Sequence, residues 1–120
     1  MLGNQNPVSS VPGEILSCND FYDYDAKYLA GKTETCLADL PEGEIRRLQE
    51  TAVAAYRTMG CRGLSRVDFF YTADGRIIVN EINTLPGFTS ISMYPQLMMA
   101  SGYSYSGLLT ALIELALEER

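Results

Sequence analysis

Asp68, Glu81 and Asn83 are the residues of this chain whose types and spacing carry the most chemistry. They sit on two β-rich runs, Ser65–Tyr71 and Arg76–Asn83, separated by Asp74-Gly75. Asp-Gly between two such runs is a strong hairpin signal, because a type I′ turn needs positive φ at both central residues. With Asp74 and Gly75 as a two-residue loop, the ladder pairs Phe70 with Val79, Asp68 with Glu81 and Arg66 with Asn83. Like charges directly opposite one another destabilise a sheet. A divalent cation held between Asp68, Glu81 and the Asn83 carbonyl oxygen removes that penalty. Magnesium binds through one or two carboxylates and fills its shell with water and phosphate oxygens. The pairing therefore reads as a metal–nucleotide site on a sheet face. The plainer reading is a solvated acidic pair near strand ends. A three-residue loop would also slip the register by one and send Asp68 and Glu81 to opposite faces.

The segment after the second run favours the metal–nucleotide reading. Thr84-Leu85-Pro86-Gly87-Phe88-Thr89-Ser90-Ile91-Ser92 follows it directly. Pro86 restricts φ, and Gly87 lets backbone approach a ligand closely. Hydroxyls at Thr89, Ser90 and Ser92 lead into Tyr94-Pro95, where proline suits a first helical turn. A helix N-terminus beside Ser90 and Ser92 is a ready anion site. A cation site, a glycine-centred loop and an anion site thus follow one another from one strand end.

The elements that must position these residues are legible around them. A Pro/Ser/Gly-rich link, Pro7 to Gly13, precedes a short strand at Glu14 to Leu16. A tyrosine-rich polar loop, Asp20 to Tyr28, continues to about Ala38. Its Lys27-Tyr28 pair suits a mobile loop that brings a charge onto phosphate after closure, while Tyr22 and Tyr24 read equally well as half-buried packing residues. Asp39-Leu40-Pro41-Glu42 reads as an N-cap box with Pro41 near the first helical position. Ile45, Leu48, Ala52, Ala55, Tyr56 and Met59 recur at helical spacing, with Gly60 as the stop. A short helix is expected from about Tyr94 to Ser101, stopping at Gly102. A final helix from about Ser104 to Glu119 carries Leu108, Leu109, Leu112, Ile113 and Ala116 on one face. Met93, Met98 and Met99 read as core filler. Helices and an antiparallel hairpin fall in separate runs, so the class is α+β.

Composition bounds the function. The chain's 120 residues fit one domain at most. A net charge of −6 without a Lys/Arg cluster argues against nucleic acid as a partner. It does not exclude ATP, because magnesium carries the local positive charge. Cys18, Cys36 and Cys61 match no zinc spacing and read as free thiols in a reducing cytoplasm. The absence of histidine removes every His-based triad, ligand and switch. No signal peptide is visible and no apolar run reaches membrane-spanning length.

Three stretches, Phe21–Tyr28, Gly63–Phe69 and Asn80–Thr89, closely resemble the D-alanine–D-alanine ligases, ATP-grasp enzymes of bacterial peptidoglycan synthesis. The resemblance covers essentially the whole chain. It implies an ATP-grasp C-terminal subdomain, an antiparallel sheet with flanking helices. Residues 1–120 are then the C-terminal portion of a ligase domain roughly three times longer, without its N-terminal domain, glycine-rich phosphate lid and most of its ATP-binding subdomain. Met1 falls at an internal position of the family pattern, so the chain alone is expected to carry half a site and to be inactive.

The resemblance further implies that ATP phosphorylates the carboxylate of one D-alanine and that the amine of a second attacks the acyl phosphate. Asp68, Glu81 and Asn83 look like ligands of two magnesium ions, with manganese as a substitute. Lys27 looks like the lysine that meets the γ-phosphate, and Phe21 like an adenine neighbour. Arg66 and the Gly87 N–H look like the oxyanion pair, and Ser92 like the hydroxyl that holds the second substrate's carboxylate. The Ala26-Lys27-Tyr28 form of the loop is similar to ligases that take D-alanine second, with D-serine the nearest alternative. A cytoplasmic homodimer without membrane or nucleic-acid contacts is implied. Another ATP-grasp carboxylate–amine ligase, or a non-catalytic binding module, are the competing readings.

Overall fold

A computed structural model describes residues 1–15 and 36–118. Two short strands, β1 (Gly13–Glu14) and β2 (Cys36–Leu37), pair antiparallel ahead of the first helix. The strand expected at Glu14 to Leu16 thus lies one residue earlier, and Leu16 falls outside the described residues.

The periodic run from Ile45 forms α1 (Glu42–Thr58), which buries Leu48, Ala52 and Tyr56. Its N-cap is Pro41, not Asp39, and no side chain caps it. Pro41 keeps an extended ψ of 149°, so the helix begins only after it, with the Pro41 carbonyl accepting from Glu44 and Ile45. Asp39 is therefore too far upstream to serve. Glu42 and Glu44 in the first turn complement the helix dipole instead. At the other end Gly60, at φ +67°, supplies the left-handed residue that stops the helix. Met59, just outside, is 69% exposed rather than part of the buried face.

Strands β3 (Arg66–Tyr71) and β4 (Ile77–Asn83) form the antiparallel hairpin. Val67 and Phe69 turn one face of β3 toward Met1, Ala52 and Tyr56. Alternation along the strand then sends Arg66 and Asp68 to the opposite face.

Beyond the hairpin, α2 (Met93–Ala100) and α3 (Tyr105–Glu118) pack together around Leu2, Tyr94, Met98 and Leu108. Met98 fills this core as expected, but Met99 is 46% exposed. The buried strip of α3 is Leu108 with Ala111, Leu112 and Leu115, whereas Leu109 and Ile113 face outward. The apolar face expected there differs by one helical position, because Leu109, Ile113 and Leu117 form a second apolar stripe beside the buried one.

Residues 1–4 are the hub of the packing. Leu2 bridges Val8 on one side and Leu64 on the other, both antiparallel. The Tyr56 hydroxyl donates to the Gly3 carbonyl at 2.8 Å and the Tyr94 hydroxyl to the Met1 carbonyl at 2.9 Å. Burial pushes the Tyr56 hydroxyl up to about 12 and Tyr94 further upward, so both stay protonated donors. Asn4 donates to the Leu115 carbonyl and Glu118 and accepts from Gly63 N, tying the end of α3 to the start of β3.

Candidate active site

The hairpin reaches the pairing of Asp68 with Glu81 by an unexpected route. Its turn is not a two-residue Asp74-Gly75 loop. Thr72 N–H donates to the Arg76 carbonyl and Gly75 N–H to the Thr72 carbonyl, which leaves Ala73, Asp74 and Gly75 as a three-residue loop with Gly75 at φ +83°. The Thr72 hydroxyl bonds the Asp74 carboxylate, which holds the loop in this form and keeps Asp74 below the usual carboxylate range.

From that turn the ladder runs Tyr71 to Ile77, Phe70 to Ile78 and Phe69 to Val79. The expected partnership of Phe70 with Val79 is therefore corrected by one residue. Continued unbroken, the same ladder would place Asp68 against Asn80 and Glu81 on the opposite face. The register instead shifts between Asp68 and Phe69. Asn80 is the extra residue of a β-bulge, and beyond it Asp68 faces Glu81, Val67 faces Ile82 and Arg66 faces Asn83. The longer loop and the bulge cancel. No single-residue signal in Val79-Asn80-Glu81 announces the bulge; only the mismatch between a three-residue loop and a carboxylate-bearing face could have.

On that face Arg66 forks onto Asp68, Nε to Oδ1 at 2.8 Å and Nη2 to Oδ2 at 2.9 Å, and reaches Glu81 Oε1 at 3.5 Å. A bidentate guanidinium–carboxylate pair fixes both planes. Asp68 is the more enclosed carboxylate, with 23% of its side chain exposed against 57% for Glu81. Asn83 Oδ1 accepts from Leu85 N–H at 3.0 Å, which turns the chain off the strand into the following loop. Arg66, Asp68 and Asn80 open onto a cleft of about 640 Å³ shared with Gly13, Glu14 and Leu97.

The donor set fits magnesium by chemistry. Two carboxylates and an amide oxygen are hard oxygen ligands of the kind magnesium or manganese takes. Each oxygen engaged by Arg66 or Leu85 keeps a second lone pair. Among the described residues no group of three or more His, Cys, Asp or Glu gathers in one place, so the third protein oxygen on this face is the amide of Asn83.

The loop that follows is anchored by rings. Phe88 sits 5.8 Å from Tyr94 and 5.6 Å from Tyr105, centre to centre, and the Tyr105 hydroxyl donates to its carbonyl. This holds Gly87 against Ser92, so closely that a Cβ at position 87 would lie 2.9 Å from Ser92 Oγ. Ser92 is the N-cap residue of α2, yet its hydroxyl caps no helical N–H. It accepts from Thr89 N–H at 3.0 Å and lies 2.8 Å from Thr89 Oγ1. Nothing in the residue types of Thr89-Ser90-Ile91-Ser92 distinguishes Thr89 from the other hydroxyls; its contact with Ser92 does. The structure thus brings together Arg66, Asp68, Glu81 and Asn83 on one face and Gly87 with Ser92 on the adjoining loop. Phe21, Lys27 and Tyr28 lie outside the described residues.

The family model described as D-ala D-ala ligase C-terminus matches residues 1–114. The D-alanine–D-alanine ligase of Shouchella clausii (strain KSM-K16) is 56% identical over 120 residues, which is 98% of this chain and 33% of that protein. The solved D-alanine–D-alanine ligase of Coxiella burnetii superposes with a TM-score of 0.82 at 42% identity, over 98% of this chain and 30% of that one. The Bacillus anthracis ligase, solved in complex with ATP, gives a TM-score of 0.63 at 34% identity over 68% of this chain and 28% of its own. The chain spans about a third of the length of the curated relatives it matches. No helix among the described residues is long and apolar enough to cross a membrane. A family match over nearly the whole chain, with these identities and this superposition, means that the chain belongs to the D-alanine–D-alanine ligases, at their C-terminal part.

Proposed function

We propose that this chain is the C-terminal portion of an ATP-dependent ligase that joins two D-alanine molecules for peptidoglycan synthesis. The upstream two thirds would supply the first substrate's pocket and most of the nucleotide site. The observation that carries the reading is the common face of Arg66, Asp68, Glu81 and Asn83, held by a bulge whose effect is to bring the second carboxylate round to the first. The ATP-bound relative supports ATP as the phosphoryl donor.

In this reading Asp68, Glu81 and Asn83 would hold two magnesium ions, or manganese, whose charge would offset the crowding of phosphate oxygens in phosphoryl transfer. The carboxylate of the first D-alanine takes the γ-phosphoryl group of ATP as ADP leaves, and the amine of the second D-alanine attacks the acyl phosphate's carbonyl carbon, losing a proton as the C–N bond forms. Negative charge then develops on the carbonyl oxygen, where the Arg66 guanidinium and the Gly87 N–H are the donors. Asp68 keeps the guanidinium plane fixed, so little reorganisation is needed as that charge appears. Phosphate leaves, and the peptide bond remains. Ser92 holds the carboxylate of the second substrate. Phe21 as an adenine neighbour, Lys27 on the γ-phosphate and Tyr28 as the residue selecting D-alanine complete the proposal, as do a cytoplasmic location and a homodimer.

The test is dipeptide synthesis and phosphate release by the full-length ligase carrying this segment. Arg66→Ala is expected to cut the ligation rate by roughly a hundredfold or more while leaving ATP affinity nearly unchanged. Asp68→Asn should weaken the magnesium dependence itself. The 120-residue chain alone is expected to make no dipeptide. Wild-type ligation by the Arg66→Ala enzyme would remove the oxyanion role.

A further inference from the structure

We propose that Thr89 is a positioning residue for the second substrate, acting through Ser92; the inference rests on the assignment of Ser92 to that substrate's carboxylate. A serine hydroxyl has one proton to give and two lone pairs to fill. Ser92 could offer one of those lone pairs to a free N–H in the first turn of α2, as N-cap serines do. It does not: its hydroxyl caps nothing in the helix and turns back toward Thr89. Thr89 N–H fills one lone pair at 3.0 Å, and Thr89 Oγ1 stands 2.8 Å away, placed to fill the other.

With an anion at the site only one proton order serves it. The Thr89 hydroxyl donates to Ser92 Oγ, both lone pairs of Ser92 are then occupied, and its own O–H points at the carboxylate. The reverse order, Ser92 donating to Thr89, leaves a lone pair facing a negative charge. Chained hydrogen bonds of the first kind also strengthen one another. Gly87 closes the other side, since any Cβ there would press on Ser92 Oγ. The Ser92 N–H donates to the Thr89 carbonyl at 3.1 Å, so the two residues are tied by main chain as well as side chain. Removing only the Thr89 hydroxyl therefore leaves the turn in place and takes away the preference for one proton order.

The experiment measures KM for the second D-alanine, KM for ATP and kcat in the full-length ligase with Thr89→Val, Thr89→Ser and Ser92→Ala. Valine keeps the backbone N–H and the branched shape. The expected result for Thr89→Val is a KM for the second D-alanine raised roughly tenfold, with KM for ATP unchanged, and recovery to near wild type in Thr89→Ser. A raised KM in Ser92→Ala with a normal KM in Thr89→Val overturns the role of Thr89 while leaving the site assignment intact. Unchanged KM in both overturns the site assignment and the inference with it. Equal loss in Thr89→Val and Thr89→Ser, with ATP affinity falling in parallel, shows a merely structural threonine and also overturns the inference.

Discussion

Glu81 stands across the ladder from Asp68 although the strand reaches it out of phase. Three residues of turn put Val79 opposite Phe69, and one unpaired residue, Asn80, then restores the phase. The bulge costs a ladder position and leaves two carboxylates facing one another, each an expense for a sheet without a cation. Arg66 offsets part of it by binding Asp68 with both arms.

That geometry separates stability from function at Glu81. In the absence of divalent metal, Glu81→Gln should leave the chain equally stable or more stable by up to about 1 kcal/mol, because it removes the like charge opposite Asp68 from an exposed position. The same change should weaken magnesium binding. Urea denaturation without metal, beside a magnesium titration, checks both. A clear loss of metal-free stability would show that Glu81 stabilises the hairpin rather than the ligand.

Gly87→Ala tests the close approach of loop to hydroxyl. The backbone at Gly87 is not among the positive-φ glycines, so alanine is locally permitted. Its Cβ would nevertheless lie 2.9 Å from Ser92 Oγ. In the full-length ligase we expect KM for the second substrate to rise by roughly tenfold while KM for ATP stays near wild type. The Gly87 N–H survives the substitution, so a change confined to kcat would point to the oxyanion contact instead.

Asn4→Ala should loosen α3 from the hub. Asn4 is 9% exposed and makes bonds to Leu115, Glu118 and Gly63, and deleting it removes all three, leaving the half-buried Gly63 N–H without this acceptor. The expected loss is about 2–3 kcal/mol. Hydrogen exchange should show it as faster exchange in Tyr105–Glu118 than in Glu42–Thr58.

The buried tyrosines give an alkaline limit to stability. The unfolded Tyr56 ionises near 10 and the folded one at about 12, so the folded state's advantage is full below 10 and is lost as pH rises through 12. At pH 11 the loss is of the order of 1 kcal/mol for Tyr56, with a further loss in the same direction from Tyr94. Tyr56→Phe should lower stability at neutral pH by about 1 kcal/mol, through the lost bond to Gly3, and flatten the decline between pH 10 and 12. Denaturation midpoints across that range check the slope.

Local chemistry was readable in the residues themselves. Gly60 and Gly102 end helices because glycine tolerates positive φ, and both are found at +67° and +111° where the helices were expected to stop. The spacing of Leu48, Ala52 and Tyr56 gave the buried side of α1, since a lone apolar stripe leaves one way to face a core. Arg66, Asp68, Glu81 and Asn83 were recognisable as one set from charge crowding and family motif alone. What tertiary structure decided is parity and choice among equivalent stripes. Glu81 rather than Asn80 faces Asp68 because of the bulge at Asn80, and the face that Arg66 and Asp68 share is fixed by burying Val67 and Phe69 against Met1, Ala52 and Tyr56, contacts that no window of the hairpin contains. The leucines of α3 offered several apolar faces, and Leu2, Tyr94 and Met98 selected Leu108 with Leu112 and Leu115. Thr89 became significant only when Ser92 turned away from its own helix. For the core, the deciding partners are remote along the chain, and their pull is the loss of water from apolar surface, which has no sequence range. For Thr89 the partner is near, and the deciding event is a hydroxyl orientation that residue types do not specify.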